Sequence, residues 1–232
     1  MQKRITPVLI LLAILASVMF PAIASAHNVS QRDASFVQST QGAAIAPFVY
    51  LGAKHMVTGY DHLAFLVGVI FFLYKLKDIV TYVSLFTLGH SITLLAGVLG
   101  NIHANSYIID AIIGFSVVYK ALDNMGAFQR WFGFQPNTKI AVLVFGLFHG
   151  FGLATKLQEL ALSKNGLVTN IVSFNVGVEI GQVLALTAIL IALSFWRSHR
   201  AFFRYAFATN TALMIVGLVL VGYQLTGYAV RA

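Results

Sequence analysis

Seven ionisable side chains lie within or beside apolar stretches of this chain. They are His55, Asp61, His62, His90, Asp110, His149 and Glu179. Inside a bilayer an ionisable group is costly unless it is paired, hydrated or bound to a metal. Each of the seven is therefore a candidate functional residue, although side chains that only hydrogen-bond between helices would give the same pattern.

The densest group of these residues is the segment His55-Met-Val-Thr-Gly-Tyr-Asp61-His62. Imidazole suits nickel, cobalt, zinc and copper, and a neighbouring carboxylate balances charge or orients the ring. The chain has no cysteine, which excludes thiolate catalysis, zinc ribbons and iron–sulfur clusters. We therefore predict a site for a divalent transition metal, with His55, Asp61, His62, His90, His149 and Glu179 as its metal-handling residues.

Two polar stripes at helical spacing accompany these residues. The first consists of Asn175, Glu179 and Gln182, and the second of Ser84, Thr87 and Ser91. Residues spaced by three or four positions share one face of a helix. As secondary lining of the metal site we predict Ser91, Asp110, Asn175 and Gln182.

The composition is that of a membrane protein. Hydrophobic residues make up 59% of the 232 residues and charged residues only 9%, whereas soluble domains carry about 25% charged residues. The net charge is +8, but the cations lie in short gaps between apolar runs. We therefore expect them to orient the chain in a lipid bilayer rather than to bind nucleic acid.

The apolar runs predict an all-α, polytopic membrane helix bundle. Residues 1–26 have the basic start, apolar run and Ala24-Ser25-Ala26 end of a signal peptide, although an uncleaved anchor helix would look alike. Residues 27–41 are predicted to be an exposed extension and 42–232 a single transmembrane domain. It should hold a short interfacial helix over 42–56 and six spanning helices at about 59–75, 79–99, 105–122, 139–158, 167–195 and 204–228.

The positions of Lys and Arg indicate the orientation. Eight lie in gaps that would be cytoplasmic and five in gaps that would be outside, in agreement with the positive-inside rule. We predict a bacterial inner (plasma) membrane protein whose mature N-terminus and C-terminus both lie outside the cytoplasm. In that orientation the ionisable residues fall in the outer half or near the midplane, so we expect one polar cavity open to the outer face.

Four segments carry a family resemblance. They are His55-x-x-x-Gly59-x-Asp61-His62, Phe86-Thr-Leu-Gly-His90-Ser-Ile-Thr93, Phe145-Gly-Leu-Phe-His149-Gly-Phe-Gly152 and Asn175-Val-Gly-Val-Glu179-Ile-Gly-Gln182. With the helix pattern they resemble the HupE/UreJ family of hydrogenase and urease accessory membrane proteins, from about residue 42 to the C-terminus. The last segment is more similar to the second, less characterised branch of that family.

The resemblance implies a permease for nickel or cobalt that supplies metalloenzyme maturation, and not an enzyme. We expect nickel as the metal, with cobalt or zinc as alternatives. Its first-helix signature corresponds to His55, Asp61 and His62, and its later His-Gly motif to His149. These four would bind the entering ion, whereas His90 and Glu179 would pass it inward or balance its charge.

Two other functions remain open from the residues alone. Three or four His with Asp61 and Ser91 could hold zinc and activate water in an intramembrane hydrolase. A non-transporting accessory protein could instead bind the metal and pass it to, or hold, a partner. The expected partners are the metal ion, the lipid bilayer, and either metalloenzyme-assembly proteins or further copies of this chain.

Overall fold

The computed structural model describes residues 31–160 and 163–231, so the predicted signal peptide lies outside the described residues. The described part contains helices and connecting turns but no strand. The helices are α1 (Gln31–Ser39), α2 (Ile45–Thr58), α3 (Tyr60–Ile70), α4 (Leu76–Leu99), α5 (Ser106–Asn124), α6 (Ala127–Phe132), α7 (Thr138–Glu159), α8 (Leu167–Arg197) and α9 (Phe202–Arg231).

Four of these helices are long and apolar enough to cross a membrane, judged by length and composition. They are α4, α7, α8 and α9. The prediction of an all-helical membrane protein is thus confirmed, but the number of six spans goes beyond these four helices. Helix α3 has 11 residues, or about 16 Å, which is roughly half the thickness of a hydrocarbon core.

The predicted first span at 59–75 is, in the structure, the second part of a broken helix. Helix α2 ends at Thr58 and α3 begins at Tyr60, with Gly59 between them in an extended conformation (φ −74°, ψ 100°). Helix α3 then ends at Ile70 rather than at residue 75. The position requires glycine, because a Cβ at Gly59 would lie 2.8 Å from Nδ1 of His62.

Helix α2 packs lengthwise against α8, whereas the sequence predicted a helix that lies at the membrane interface. At the start of α8, Asn170 accepts a hydrogen bond from the backbone N–H of Ala44 at 2.7 Å. At the end of α8, Arg197 donates to the carbonyls of Phe71 at 2.8 Å and Leu73 at 2.9 Å. The two short helices α2 and α3 therefore run beside α8, in the same direction, over about 40 Å.

The described part of the predicted exposed extension forms a docked helix. Helix α1 buries Val37, which is 3% exposed, and the ring of Phe36 lies 6.4 Å from that of Phe48. An ion pair of 2.6 Å joins Asp33 to Lys54 of α2. The two adjacent apolar residues in an otherwise polar segment explain why it packs on the bundle instead of remaining in solvent.

The remaining helices pack in pairs. Helices α4 and α7 run in the same direction, with Gly89 beside Leu143 and Gly97 beside Ala154. Helices α5 and α9 run in opposite directions, because Asn124 at the end of α5 donates to Asn210 near the start of α9 at 2.9 Å. The directions of all these helices follow the alternation expected for successive passages through one bundle.

Candidate metal centre

Four histidines from four different helices meet in the middle of the bundle. We call His55, His62, His90 and His149 the histidine cluster. The ring centre of His62 lies 5.0 Å from that of His149, 5.1 Å from that of His55 and 6.1 Å from that of His90. His62 is therefore the central member, in contact distance of the other three.

Three of the four members of the histidine cluster are buried. His62, His90 and His149 are only 1–2% exposed, and the rings of Phe65 and Phe86 pack at 5.3 and 5.0 Å from His149. One apolar core lies on the side of α1, and a second, which contains both phenylalanines, lies on the other side. His62, His90 and His149 therefore lie between two apolar layers, whereas His55 is half-buried. The cavity open to the outer face stays a prediction.

The broken helix explains this depth. The sequence placed Asp61 and His62 at the outer end of a first span, because residues 42–56 were interpreted as an interfacial helix. Since α2 runs alongside α8, the break at Gly59 instead lies about halfway along the bundle. The two residues that follow the break therefore lie at the level of His149, which is near the middle of α7.

Two members of the cluster are oriented through their Nδ1 atoms. Nδ1 of His62 lies 3.2 Å from Oδ1 of Asp61, which is itself fully buried. Nδ1 of His149 lies 2.8 Å from the carbonyl oxygen of Phe145. Because a carbonyl only accepts, Nδ1 of His149 donates, and its lone pair is on Nε2. This is the arrangement in which a carboxylate or carbonyl holds a metal-binding imidazole in proteins.

Some nitrogens of the cluster have no good hydrogen bond among the described residues. Nε2 of His62 has no partner there, and neither ring nitrogen of His90 makes a hydrogen bond of good geometry. The side chain of Asn175 lies beside His90, but its amide donates to the hydroxyl of Ser91 at 2.9 Å. Buried polar groups are normally satisfied, so such nitrogens are available to bind a water molecule or an ion.

Glycines bring His90 and His149 together across α4 and α7. A Cβ at Gly89 would lie 2.5 Å from the carbonyl oxygen of Leu143, and one at Gly150 would collide with the carbonyl of His90. Such close backbone approach is typical of small residues between membrane helices. The His149-Gly150 motif therefore supplies one histidine and allows close approach of α4, the helix that carries His90.

The cluster is not a preformed metal cage. Among the described residues, no group of three or more His, Asp or Glu side chains is arranged to hold a metal ion as it stands. The rings of His62 and His149 instead meet edge to face, with an interplanar angle of 69°. The structure thus brings the imidazoles together without directing their lone pairs to a common point.

Two predicted site residues are not brought to the histidine cluster. Asp110 forms an ion pair of 2.8 Å with Lys156 and accepts from Gln224 at 3.3 Å. Glu179 is exposed on the outer surface of α8. Of the predicted lining, Asn175 and Ser91 lie beside His90, and Gln182 donates to the carbonyl of Val83 at 3.3 Å.

A second buried polar group was missed by the sequence analysis. Lys120, which the sequence placed in a cytoplasmic gap, is 6% exposed and forms an ion pair with Asp123. Asp123 also accepts from Gln135 and, at 3.3 Å, from the hydroxyl of Thr138. We call these four residues the ion-pair cluster. The sequence feature that could have identified this cluster is the i, i+3 spacing of opposite charges at the end of an apolar run.

The fold and the site together define a class: a helical membrane protein with a mostly buried cluster of imidazoles. Two of these imidazoles are oriented through Nδ1. The family model described as HupE / UreJ protein matches residues 31–232, and the chain belongs to that family. The family resemblance drawn from the four motifs is thereby confirmed. Membership implies an accessory membrane protein of hydrogenase or urease maturation that handles nickel or cobalt. No curated protein and no solved structure matches the chain.

Proposed function

We propose that the protein is a membrane permease for a divalent transition metal, with nickel as the cargo and cobalt or zinc as weaker alternatives. The observation that carries the proposal is the meeting of four imidazoles from four helices at the centre of an apolar bundle. Histidines that only stabilised the bundle would pair with donors and acceptors of neighbouring helices. Here three of the rings surround a fourth.

The ring separations are short enough for a shared ion, although ordinary ring packing gives the same spacing, since Phe86 also lies 5.0 Å from His149. Two imidazoles bound to one ion at about 2.1 Å, at a tetrahedral angle, place their ring centres about 5 Å apart. The separations of 5.0 and 5.1 Å from His62 match this value, and the 6.1 Å separation to His90 is one ångström longer. Reorientation of rings already at this spacing would suffice to direct their nitrogens to one ion, with little movement of the helices.

Each residue has a proposed part in binding. Asp61 orients His62 through Nδ1 and balances the charge of the ion, and the Phe145 carbonyl orients His149 in the same way. His55 and His90 supply further nitrogens. The apolar layers on both sides keep the ion from leaking through when the site is closed, so a transport cycle must open one layer at a time.

The proposed topology has six passages, with the broken pair α2 and α3 as the first, followed by α4, α5, α7, α8 and α9. The end of the bundle at which α8 ends carries exposed cations: Lys75, Lys77, Arg130, Lys139, Arg200 and Arg204. At the opposite end Arg32, Lys164 and Arg231 are exposed, whereas Lys54 and Lys156 are paired with Asp33 and Asp110. This difference favours the first end as cytoplasmic in an inner membrane. A reporter enzyme that is active only in the cytoplasm should then be active when it is fused after residue 130, and one that is active only outside should not.

The broken helix agrees with transport. Discontinuous helices near the midplane expose backbone groups and mark substrate sites in several transporter folds. By contrast, the hydrolase alternative gains no support from Ser91, whose hydroxyl is bonded to Asn175 rather than to an imidazole. The accessory alternative differs from a permease only in flux, so the two are separated by experiment.

The test is nickel flux into proteoliposomes that contain a nickel-quenched dye. We expect the wild-type protein to admit nickel and His62→Ala to lose flux. His103→Ala is the matched control, because His103 is exposed in the loop between α4 and α5 and the variant should transport normally. Nickel binding without flux in the wild type would favour the accessory protein, and equal flux in His62→Ala would contradict the site.

A further inference from the structure

Glu179 occupies an unusual place for a carboxylate. It lies about 18 Å from the start of α8, within a helix whose most apolar 18-residue window has a mean hydropathy of 2.1. Its side chain is exposed on the outer surface, and no hydrogen bond or ion pair holds it within the described residues. The surrounding surface is apolar: Val172, Val176, Ile180, Val183 and Leu184 are 45–61% exposed.

A carboxyl group in this position is costly in a lipid environment. Ionisable residues in membrane helices almost always face a protein interior or water, where they find partners. Glu179 faces away from the interior of its own chain. A second protein surface packed on this apolar face would supply the partner that Glu179 lacks among the described residues of its own chain.

The adjoining helix carries hydrogen-bond donors at the same level. Helices α4 and α8 lie side by side in opposite directions, since Asn175 bonds Ser91 and Gln182 bonds the carbonyl of Val83. By helical spacing, Thr87 lies opposite Glu179 and Ser84 one turn away. Ser84 is exposed, Thr87 is half-buried, and neither hydroxyl makes a hydrogen bond among the described residues.

We propose that the outer face of α4 and α8 is the interface with a second copy of this chain. The face carries both halves of a hydrogen-bonding pair, an accepting carboxyl on α8 and donating hydroxyls on α4. A two-fold axis along the helices brings such a face against itself, so that Glu179 of each copy meets the hydroxyls of the other. The same contact buries the apolar side chains around it and removes the carboxyl from lipid.

The absence of cysteine from the chain makes cross-linking a clean test. The variant Val183→Cys, four residues after Glu179, should form a dimer with a short organic bis-thiosulfonate reagent in native membranes without added metal. The control is Ile215→Cys on α9, which is also exposed at 42% but lies on a different helix. We expect the control to remain monomeric.

The carboxyl itself is tested in the Val183→Cys background. Glu179→Leu should lower the cross-linked fraction about tenfold, whereas Glu179→Gln, which keeps the hydrogen-bonding group, should retain most of it. Equal cross-linking at Val183→Cys and Ile215→Cys, an unchanged dimer in Glu179→Leu, or a cross-link to a different protein would each overturn the proposal. None of these results bears on metal binding, so the proposed permease function stands or falls separately.

Discussion

The histidine cluster and the ion-pair cluster are both polar groups buried in an apolar bundle, but their chemistry differs. In the ion-pair cluster the Lys120 ammonium meets the Asp123 carboxylate, which also accepts from Gln135 and Thr138. Opposite charges and matched donors complete each other there. In the histidine cluster four bases of one kind face one another, and Nε2 of His62 has no partner among the described residues.

The difference separates structure from function. A closed set of donors and acceptors needs no further group and holds helices together. A set of imidazole lone pairs with too few donors is completed by a cation. We therefore propose that the ion-pair cluster contributes to stability and the histidine cluster to metal binding, and each proposal predicts effects that the other does not.

The largest expected effect is on stability, at the ion-pair cluster. Lys120→Met leaves the buried Asp123 carboxylate without its cation, and should lower the free energy of unfolding by about 3–5 kcal/mol. The affinity of the folded fraction for nickel should be unchanged. Denaturant unfolding and nickel titration measure the two quantities on one preparation. A loss of nickel affinity with normal stability would reverse the assignment.

Next in size is the effect of removing His90. His90→Leu should reduce nickel affinity by about 100-fold, yet leave stability unchanged or raised by about 1 kcal/mol, because a poorly satisfied buried group is replaced by an apolar one. Calorimetric titration and thermal unfolding check the pair of outcomes. A strongly destabilised His90→Leu protein would indicate that the ring is a structural hydrogen-bonding group.

A smaller loss is expected from Asp61→Asn. The amide keeps the shape of the side chain but removes the charge that orients His62, so nickel affinity should fall about tenfold. Asp110→Asn is the matched control, since Asp110 is engaged with Lys156 outside the cluster. Equal losses in the two variants would show that the net charge of the bundle, and not the Asp61–His62 pair, controls binding.

The mildest effect is that of pH on metal binding. Imidazole binds a metal only in its neutral form, so protons compete with the ion and affinity falls as the pH falls. Nickel affinity should therefore fall steadily as the pH is lowered from about 7.5 to about 5.5. Nickel titration across this range measures it. An affinity that rises on acidification would exclude imidazole ligands.

The sequence predicted the class of fold and named all four members of the histidine cluster, because these rest on local signals. Long apolar runs fix membrane helices, and a histidine inside such a run stands out at once. Their similar predicted depth in the membrane was the basis for inferring that His55, His62, His90 and His149 meet. The helix pairing that brings them together depends on glycines whose role is visible only when two helices are placed side by side.

Two predictions differ from the structure, one for residues 42–56 and one for Glu179, and each has its own physical reason. The sequence analysis separated 42–56 from the first span because this stretch is shorter than the roughly 20 residues that a spanning helix needs. The packing of both parts beside α8 supports the proposal that they form one passage together. Glu179 was placed in the site by its spacing with Asn175 and Gln182, but a shift of about 40° around the helix is enough to turn a side chain from the seam to the outer surface.

The most direct test of the central claim is nickel-edge X-ray absorption on the purified protein with about one equivalent of nickel bound. The account predicts a spectrum with several imidazole nitrogens at about 2.0–2.1 Å, and the loss of that signature in His62→Ala but not in His103→Ala. A first shell of oxygen alone, or an identical imidazole signature in His62→Ala, would contradict the assignment of the histidine cluster to metal.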